Sequence, residues 1–160
     1  MTDVTSLLAD RLTSLGWMMA TAESCTGGLI AAHCTDLPGS SRWFERGFVT
    51  YSNAAKTDLL GVRPEVIAAE GAVSEDVARA MALGAFYRTP ARVSLAVTGI
   101  AGPDGGSADK PIGTVWLAWC IDGQLHAERQ TFGGDRHKVR QATVAWALEG
   151  LMKRLPQTAT

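Results

Sequence analysis

Residues 17–28 read WMMATAESCTGG, and this stretch decides the fold class. Residues 17–21 are short and apolar enough to form a buried strand, and residues 29–34, directly after the two glycines, are typical of a helix. The polar segment ESCTGG lies between them at residues 23–28. A buried strand that leads through a polar turn into a helix is the building unit of α/β proteins. We therefore predict an α/β domain.

The same kind of unit recurs along the chain, and the apolar periodicity predicts the remaining elements. The predicted helices are an N-terminal one ended by Gly16, one capped by Ser74, and a last one carrying the apolar residues between positions 139 and 155; the further strands are residues 48–51, 93–97, 115–121 and 125–132. Asp122 and Gly123 are a hairpin signal between the last two strands. This order predicts one domain, residues 1–160, folded as a three-layer α/β/α sandwich around a mixed sheet.

Composition narrows the classes of function. The chain has 160 residues, 46% of them hydrophobic, and a formal net charge of −1, so no overall positive field attracts nucleic acid. Its longest apolar stretch, residues 115–121, is too short to cross a membrane, and the N-terminus does not resemble a signal peptide. The three cysteines form no CxxC pair, and the three histidines lack zinc-site spacing. We expect a cytoplasmic protein that has no metal and no cofactor.

The first polar loop places Ser24 at a strand-to-helix turn. Free backbone N–H groups and the helix dipole at such a turn stabilise an anion, either a phosphate or the oxyanion of an attacked carbonyl. An ordinary N-cap serine followed by a tight glycine turn has the same residues. Cys25 is a rival nucleophile, although no histidine lies nearby in the sequence to activate it.

The second loop leads to Lys56, which follows the polar pair Ser52 and Asn53. Burial lowers the pKa of a lysine because the charged form loses hydration, and a neutral amine can accept the proton of a serine. Serine–lysine pairs are a known variant of the catalytic triad. The stretch is also typical of a solvated lysine on a helix face, with Tyr51 packed in the core.

The third loop, residues 98–106 (TGIAGPDGG), is rich in glycine and contains a proline. Such a loop is fixed and poor in side chains, so a ligand can approach it closely; a flexible surface turn is the alternative. Gly133 and Gly134 form another glycine-rich stretch just before the last helix. In that helix Arg136 and Arg140 are one turn apart. These arginines are either phosphate ligands or solvent-facing side chains. Because ligands bind beyond strand ends in α/β sheets, the three loops predict a small-molecule site.

The chain resembles the C-terminal domain of the CinA family, the nicotinamide-nucleotide amidohydrolases. The stretches that carry the resemblance are residues 21–28 (TAESCTGG), 43–53 (WFERGFVTYSN), 71–75 (GAVSE), 98–106 (TGIAGPDGG) and 111–115 (PIGTV). They occur in the family's order and extend over nearly the whole chain. The resemblance implies hydrolysis of nicotinamide mononucleotide to nicotinate mononucleotide and ammonia, a step of pyridine nucleotide and NAD recycling. It also implies the stand-alone form of the domain, because only a short segment precedes the first strand.

Carried over by position, the resemblance implies that Ser24 is the nucleophile, Lys56 its general base and Tyr51 a hydroxyl in the same hydrogen-bond network. Around these catalytic residues we expect the following residues to bind substrate: Glu23, Thr26, Gly27, Gly28, Asn53, Thr98, Gly99, Gly102, Arg136 and Arg140.

Two other functions are compatible with the residues. One is a non-catalytic module that binds pyridine nucleotides, which would have no need of a lysine beside Ser24. The other is a metal-dependent hydrolase that uses Glu23, Asp104, Asp109 or Asp135, but these carboxylates are scattered in the sequence. We further expect a homo-oligomer, most simply a dimer. Trp43 and Phe44 are candidates either for a partner surface or for the core.

Overall fold

Helices and strands alternate along the chain in the computed structural model, which describes residues 3–157. In chain order the elements are α1 (Val4–Leu15), β1 (Met19–Glu23), α2 (Leu29–Thr35), a 3-10 turn (Ser40–Arg42), β2 (Phe44–Val49), α3 (Asn53–Leu60), α4 (Pro64–Glu70), α5 (Glu75–Tyr87), β3 (Val93–Gly99), β4 (Thr114–Ile121), β5 (Gln124–Thr131) and α6 (Arg136–Arg154). None of the helices within residues 3–157 has both the length and the apolar character needed to span a bilayer.

The five strands form one mixed sheet in the order β2-β1-β3-β4-β5. Strand β1 pairs in parallel with both β2 and β3, whereas β4 and β5 add antiparallel strands beyond β3. The carboxyl ends of β1, β2 and β3 therefore lie at the same edge of the sheet, beside the start of β4. This edge is where ligands bind in sheets of this kind.

Helices cover both faces of the sheet, which gives the predicted three layers. Along β3, Leu95 packs into a cluster formed with α1, α2 and α6, whereas its neighbour Ala96 packs into a second cluster formed with α3, α4 and α5. Residues pointing to both faces of β1, β3 and β4 are fully buried, as expected of central strands. The predicted fold class is confirmed.

Three strand predictions were wrong in their bounds. Strand β3 is Val93–Gly99 rather than residues 93–97, because Thr98 and Gly99 still pair with β4. Strand β1 is Met19–Glu23 rather than residues 17–21, because Glu23 is paired within the sheet and its side chain is buried there instead of ending the strand in a solvated loop. Strand β2 is Phe44–Val49 rather than residues 48–51, because an edge strand tolerates the polar pair Glu45 and Arg46 that interrupts its apolar pattern. Trp43, directly before β2, belongs to the core with 2% exposure.

Candidate active site

The loops that follow β1, β2 and β3 enclose one cavity of about 280 Å³. Each of the three loops that the sequence singled out contributes to its wall: Ser24 from the first, Tyr51 and Lys56 from the second, and Gly99 and Gly102 from the third. Asn53, Thr98 and Arg136 line it as well. The parallel arrangement of β1, β2 and β3 thus brings together residues that are far apart in the sequence.

Ser24 and Lys56 form the centre of this cavity. The Lys56 Nζ lies 3.1 Å from the Ser24 Oγ, within hydrogen-bond distance. Strand pairing fixes the serine, because its N–H donates to the Val97 carbonyl at 3.1 Å. Helix α3 fixes the lysine, since the Ser52 hydroxyl caps this helix by accepting from the Ala55 N–H at 3.0 Å. The geometry brings a hydroxyl and an amine into direct contact.

The surroundings of Lys56 favour its neutral form. The residue is 1% exposed, and no carboxylate within residues 3–157 forms an ion pair with it. Burial lowers the pKa of the Lys56 amine, because the ammonium ion loses its hydration. Nζ contacts two main-chain carbonyls, of Thr50 at 3.0 Å and of Tyr51 at 3.3 Å. With two N–H groups donated to these carbonyls, a neutral amine directs its lone pair towards Ser24.

Glu23 stabilises the first loop through hydrogen bonds to its buried carboxylate. Its carboxylate is fully buried and accepts from the Thr26 hydroxyl at 2.5 Å, the Ile30 N–H at 2.8 Å and the Ala31 N–H at 3.0 Å. These bonds satisfy amides in the first turn of α2, so Glu23 caps the helix that follows Ser24. Neither Glu23 nor Thr26 lines the cavity, and their geometry gives no support to the expected contact with substrate.

Arg140 holds the same loop from the side of α6. Its guanidinium donates to the carbonyls of Cys25 and Thr26, each at 3.1 Å. These two contacts engage Arg140 with the main chain, and the residue does not line the cavity. The structure thus separates the two arginines that the sequence grouped as phosphate ligands, because only Arg136 reaches the cavity.

Gly27 and Gly28 of the first loop both have positive φ but differ in their hydrogen bonds. Gly27 and Gly28 have φ values of +58° and +109°, which the tight turn into α2 requires. The Gly27 N–H donates to the Ser24 carbonyl at 3.1 Å and is therefore engaged. Within residues 3–157 the N–H groups of Cys25, Thr26 and Gly28 have no acceptor, and Cys25 is the one of these three residues that lines the cavity, so its amide is the one of this loop available to an oxyanion.

Tyr51 and Arg136 meet at the mouth of the cavity. Arg136 donates through Nη2 to the Tyr51 hydroxyl at 3.0 Å and through Nη1 to the Gly102 carbonyl at 2.8 Å. Tyr51 is 59% exposed, so it is not packed in the core. Its main-chain carbonyl contacts Lys56, but its hydroxyl bonds to Arg136 rather than joining the serine–lysine pair as the resemblance implied.

The third loop has the close packing that its glycines predicted. A Cβ at Gly99 would lie 2.6 Å from Val115 Cγ2, and one at Gly102 would lie 2.7 Å from Ile112 Cγ2. The Thr98 hydroxyl donates to the Ala72 carbonyl at 2.9 Å and so ties a further segment of the wall to β3. This loop is a braced wall rather than a flexible surface turn.

Sequence reasoning missed several residues of the cavity wall. These are Ala72, Val73, Ile100 and Ala101, together with Asp104, which the sequence suggested only as a metal ligand. Ala72 and Val73 carry no chemical signal of their own and reach the wall through the fold. The glycines around Asp104 were the one signal that could have marked it as a wall residue.

The surroundings of Cys25 disfavour it as the nucleophile, and the described residues give no support to a metal site. Burial raises the pKa of the Cys25 thiol to about 12, which disfavours the thiolate needed for attack. Within residues 3–157, no group of three or more His, Cys, Asp or Glu side chains converges as a metal site would require. The serine hydroxyl and the lysine amine are the reactive groups in contact.

Comparison with known proteins identifies the family of this chain. The family model described as the CinA C-terminal domain matches residues 1–155. A nicotinamide-nucleotide amidohydrolase PncC of Pseudomonas putida is 52% identical over 153 residues, covering 95% of each chain. The protein of the same name from Escherichia coli strain K12 is 50% identical over 147 residues, covering 91% of this chain and 89% of that protein.

Solved structures show the same fold. A competence-damaged protein (CinA) superfamily protein from Escherichia coli is 41% identical with a TM-score of 0.92, over 95% of this chain and 88% of that one. A competence/damage inducible protein from Agrobacterium tumefaciens is 48% identical with a TM-score of 0.88, over 95% of this chain and 96% of that one.

Proposed function

This chain belongs to the CinA C-terminal domain family, and from that premise we propose that it hydrolyses the carboxamide of nicotinamide mononucleotide, with Ser24 as nucleophile and Lys56 as general base. It is an amidohydrolase, because relatives that are about half identical over nearly the full length carry that name. The observation that carries the proposed mechanism is the 3.1 Å contact between the Lys56 amine and the Ser24 hydroxyl in a buried setting.

The first half of the reaction forms an ester on Ser24. Neutral Lys56 takes the hydroxyl proton as the serine oxygen attacks the carboxamide carbon, and the carbonyl oxygen becomes an oxyanion. The N–H group of Cys25, which has no acceptor within residues 3–157 and belongs to a residue of the cavity wall, supports stabilisation of this charge. One such donor contributes roughly 3 kcal/mol to the transition state in enzymes of this kind, so the effect is large enough to matter.

The second half of the reaction returns the enzyme to its starting state. Before this half begins, the ammonium form of Lys56 has given its proton to the departing nitrogen, so that the C–N bond breaks, ammonia leaves and the ester on Ser24 is complete. Water then attacks the ester while Lys56 again accepts a proton, and that proton passes to the Ser24 oxygen as nicotinate mononucleotide departs. Every proton in the cycle is carried by Ser24, Lys56, substrate or water.

The negative charge of the substrate's phosphate is complementary to the positive charge of Arg136 at the mouth of the cavity. The nucleotide has a phosphate, and Arg136 presents a guanidinium at the cavity mouth that Gly102 and Tyr51 hold in place. A guanidinium has five N–H donors, so the two that Gly102 and Tyr51 accept leave others for phosphate oxygens. We therefore assign phosphate binding to Arg136, while Arg140 holds the loop.

The function is tested by measuring ammonia released from nicotinamide mononucleotide, with the acid product identified by chromatography. We expect equal amounts of ammonia and nicotinate mononucleotide, unchanged by EDTA, because the proposed base and oxyanion donors are protein groups. Binding of the nucleotide without ammonia release would favour a non-catalytic binding module. Loss of activity with EDTA and its return with a divalent ion would favour the metal-dependent hydrolase.

A further inference from the structure

The cavity wall contains two charged side chains of opposite sign near its mouth. Asp104 lies on the third loop and Arg136 begins α6, and both line the cavity. They do not form an ion pair with each other, and the Asp104 carboxylate has no hydrogen-bond or ion-pair partner within residues 3–157. Asp104 is also the one carboxylate among the residues that line this cavity.

The position of Asp104 is fixed by the loop that carries it. Gly102, two residues before Asp104, and Gly105, directly after it, have φ values of +86° and +90°, and the Arg136 guanidinium donates to the Gly102 carbonyl. A Cβ at Gly102 would lie 2.7 Å from Ile112 Cγ2, so the loop is packed against its neighbour. The carboxylate is therefore presented on a braced turn, and Arg136, which braces it, keeps its own charge at the cavity mouth.

A wall with separate negative and positive groups suits a ligand that carries both charges. We infer that the Asp104 carboxylate recognises the positive charge of the pyridinium ring of the nucleotide; this assignment rests on the proposed function. Nicotinamide mononucleotide has such a cationic ring at one end and a phosphate at the other. Free nicotinamide has neither charge.

The expected contribution of Asp104 is to binding. The ring charge is present in the bound substrate and in the transition state, so a carboxylate beside it stabilises both states equally. Loss of the carboxylate should then raise KM and leave kcat within about twofold. Asp104 is exposed, and for an exposed ion pair we expect a change in affinity of roughly two- to fivefold.

The test compares two ligands that differ in ring charge. Nicotinamide mononucleotide and its reduced 1,4-dihydro form share ribose, phosphate and carboxamide, but the reduced ring is neutral. Dissociation constants are measured by calorimetry on a Ser24→Ala background, which prevents turnover, with and without Asp104→Asn. Asp109→Asn is the matched control, because Asp109 lies on the same connection between β3 and β4 but not on the cavity wall.

We expect Asp104→Asn to weaken binding of the oxidised nucleotide by roughly two- to fivefold and to leave that of the reduced nucleotide unchanged. Asp109→Asn should change neither. An equal loss for both ligands, or no loss for either, would overturn the assignment while leaving the deamidation intact. If the wild-type protein neither bound nicotinamide mononucleotide nor released ammonia from it, the proposed function would fail, and the role of Asp104 with it.

Discussion

At the scale of single residues, Ser24 and Cys25 are adjacent nucleophiles with opposite expected roles. Ser24→Ala should abolish ammonia release, yet bind substrate within about tenfold of the wild-type affinity, because the hydroxyl is needed for bond making. Cys25→Ala should remain active, because the pKa of the buried thiol is raised to about 12. Steady-state kinetics and calorimetry on the two variants check this. An inactive but folded Cys25→Ala, beside an active Ser24→Ala, would move the nucleophile to the thiol.

The lowered pKa of Lys56 also predicts how stability depends on pH. Between the lowered pKa and the ordinary value of 10.5, the unfolded chain binds a proton that the folded chain does not. The wild-type free energy of unfolding therefore gains from this group as pH rises through that interval, and the penalty is fully present below both values. Lys56→Met removes the titration while filling much of the same space.

The difference between Lys56→Met and wild type is the quantity to measure. Leaving the Thr50 and Tyr51 carbonyls without their donor adds a cost to the variant that does not depend on pH. Relative to the wild type, the variant should lose stability as pH rises towards 10.5. Urea unfolding at several pH values measures this difference. A difference that stays constant across the range would show that the pKa of Lys56 is not lowered.

At the scale of elements, the junction of β1 and α2 depends on Glu23. Glu23→Gln replaces one acceptor oxygen by an amide donor opposite amides that already donate, so we expect a loss of about 1–3 kcal/mol in the free energy of unfolding. The value of kcat should fall more than KM rises, because Ser24 directly follows Glu23. Glu75→Gln is the control, since its exposed i,i+4 pair with Arg79 contributes less than about 1 kcal/mol. Equal stability of the two variants in urea would contradict the capping role.

Elements with local signals were predictable from the sequence. Gly16 ends α1 with φ +69°, Ser74 caps α5, and Asp122 and Gly123 make the hairpin with positive φ at both positions. Helix α4 was missed, although Pro64 stands in its first turn, because its apolar face is short. The bounds of β1 were missed because a strand buried on both faces shows no alternation from which its end can be located.

At the scale of the whole molecule, the sheet order determines which residues meet. The sequence predicted three loops at strand ends, and the pairing of β1 with both β2 and β3 explains why they converge. Contacts made by the main chain could not be predicted, since the carbonyls that receive the Lys56 N–H groups and the Arg140 guanidinium belong to no particular residue type. The expected dimer stays a prediction, which sedimentation of the purified protein would test.

The central claim is that neutral Lys56 acts as the base for Ser24, and the pH dependence of kcat/KM for nicotinamide mononucleotide tests it most directly. The account predicts that kcat/KM of the wild type rises with pH through a single ionisation well below 10.5, and that Lys56→Arg is nearly inactive, because a guanidinium keeps its proton. An active Lys56→Arg enzyme with the wild-type pH profile would contradict the claim and reduce Lys56 to a binding charge.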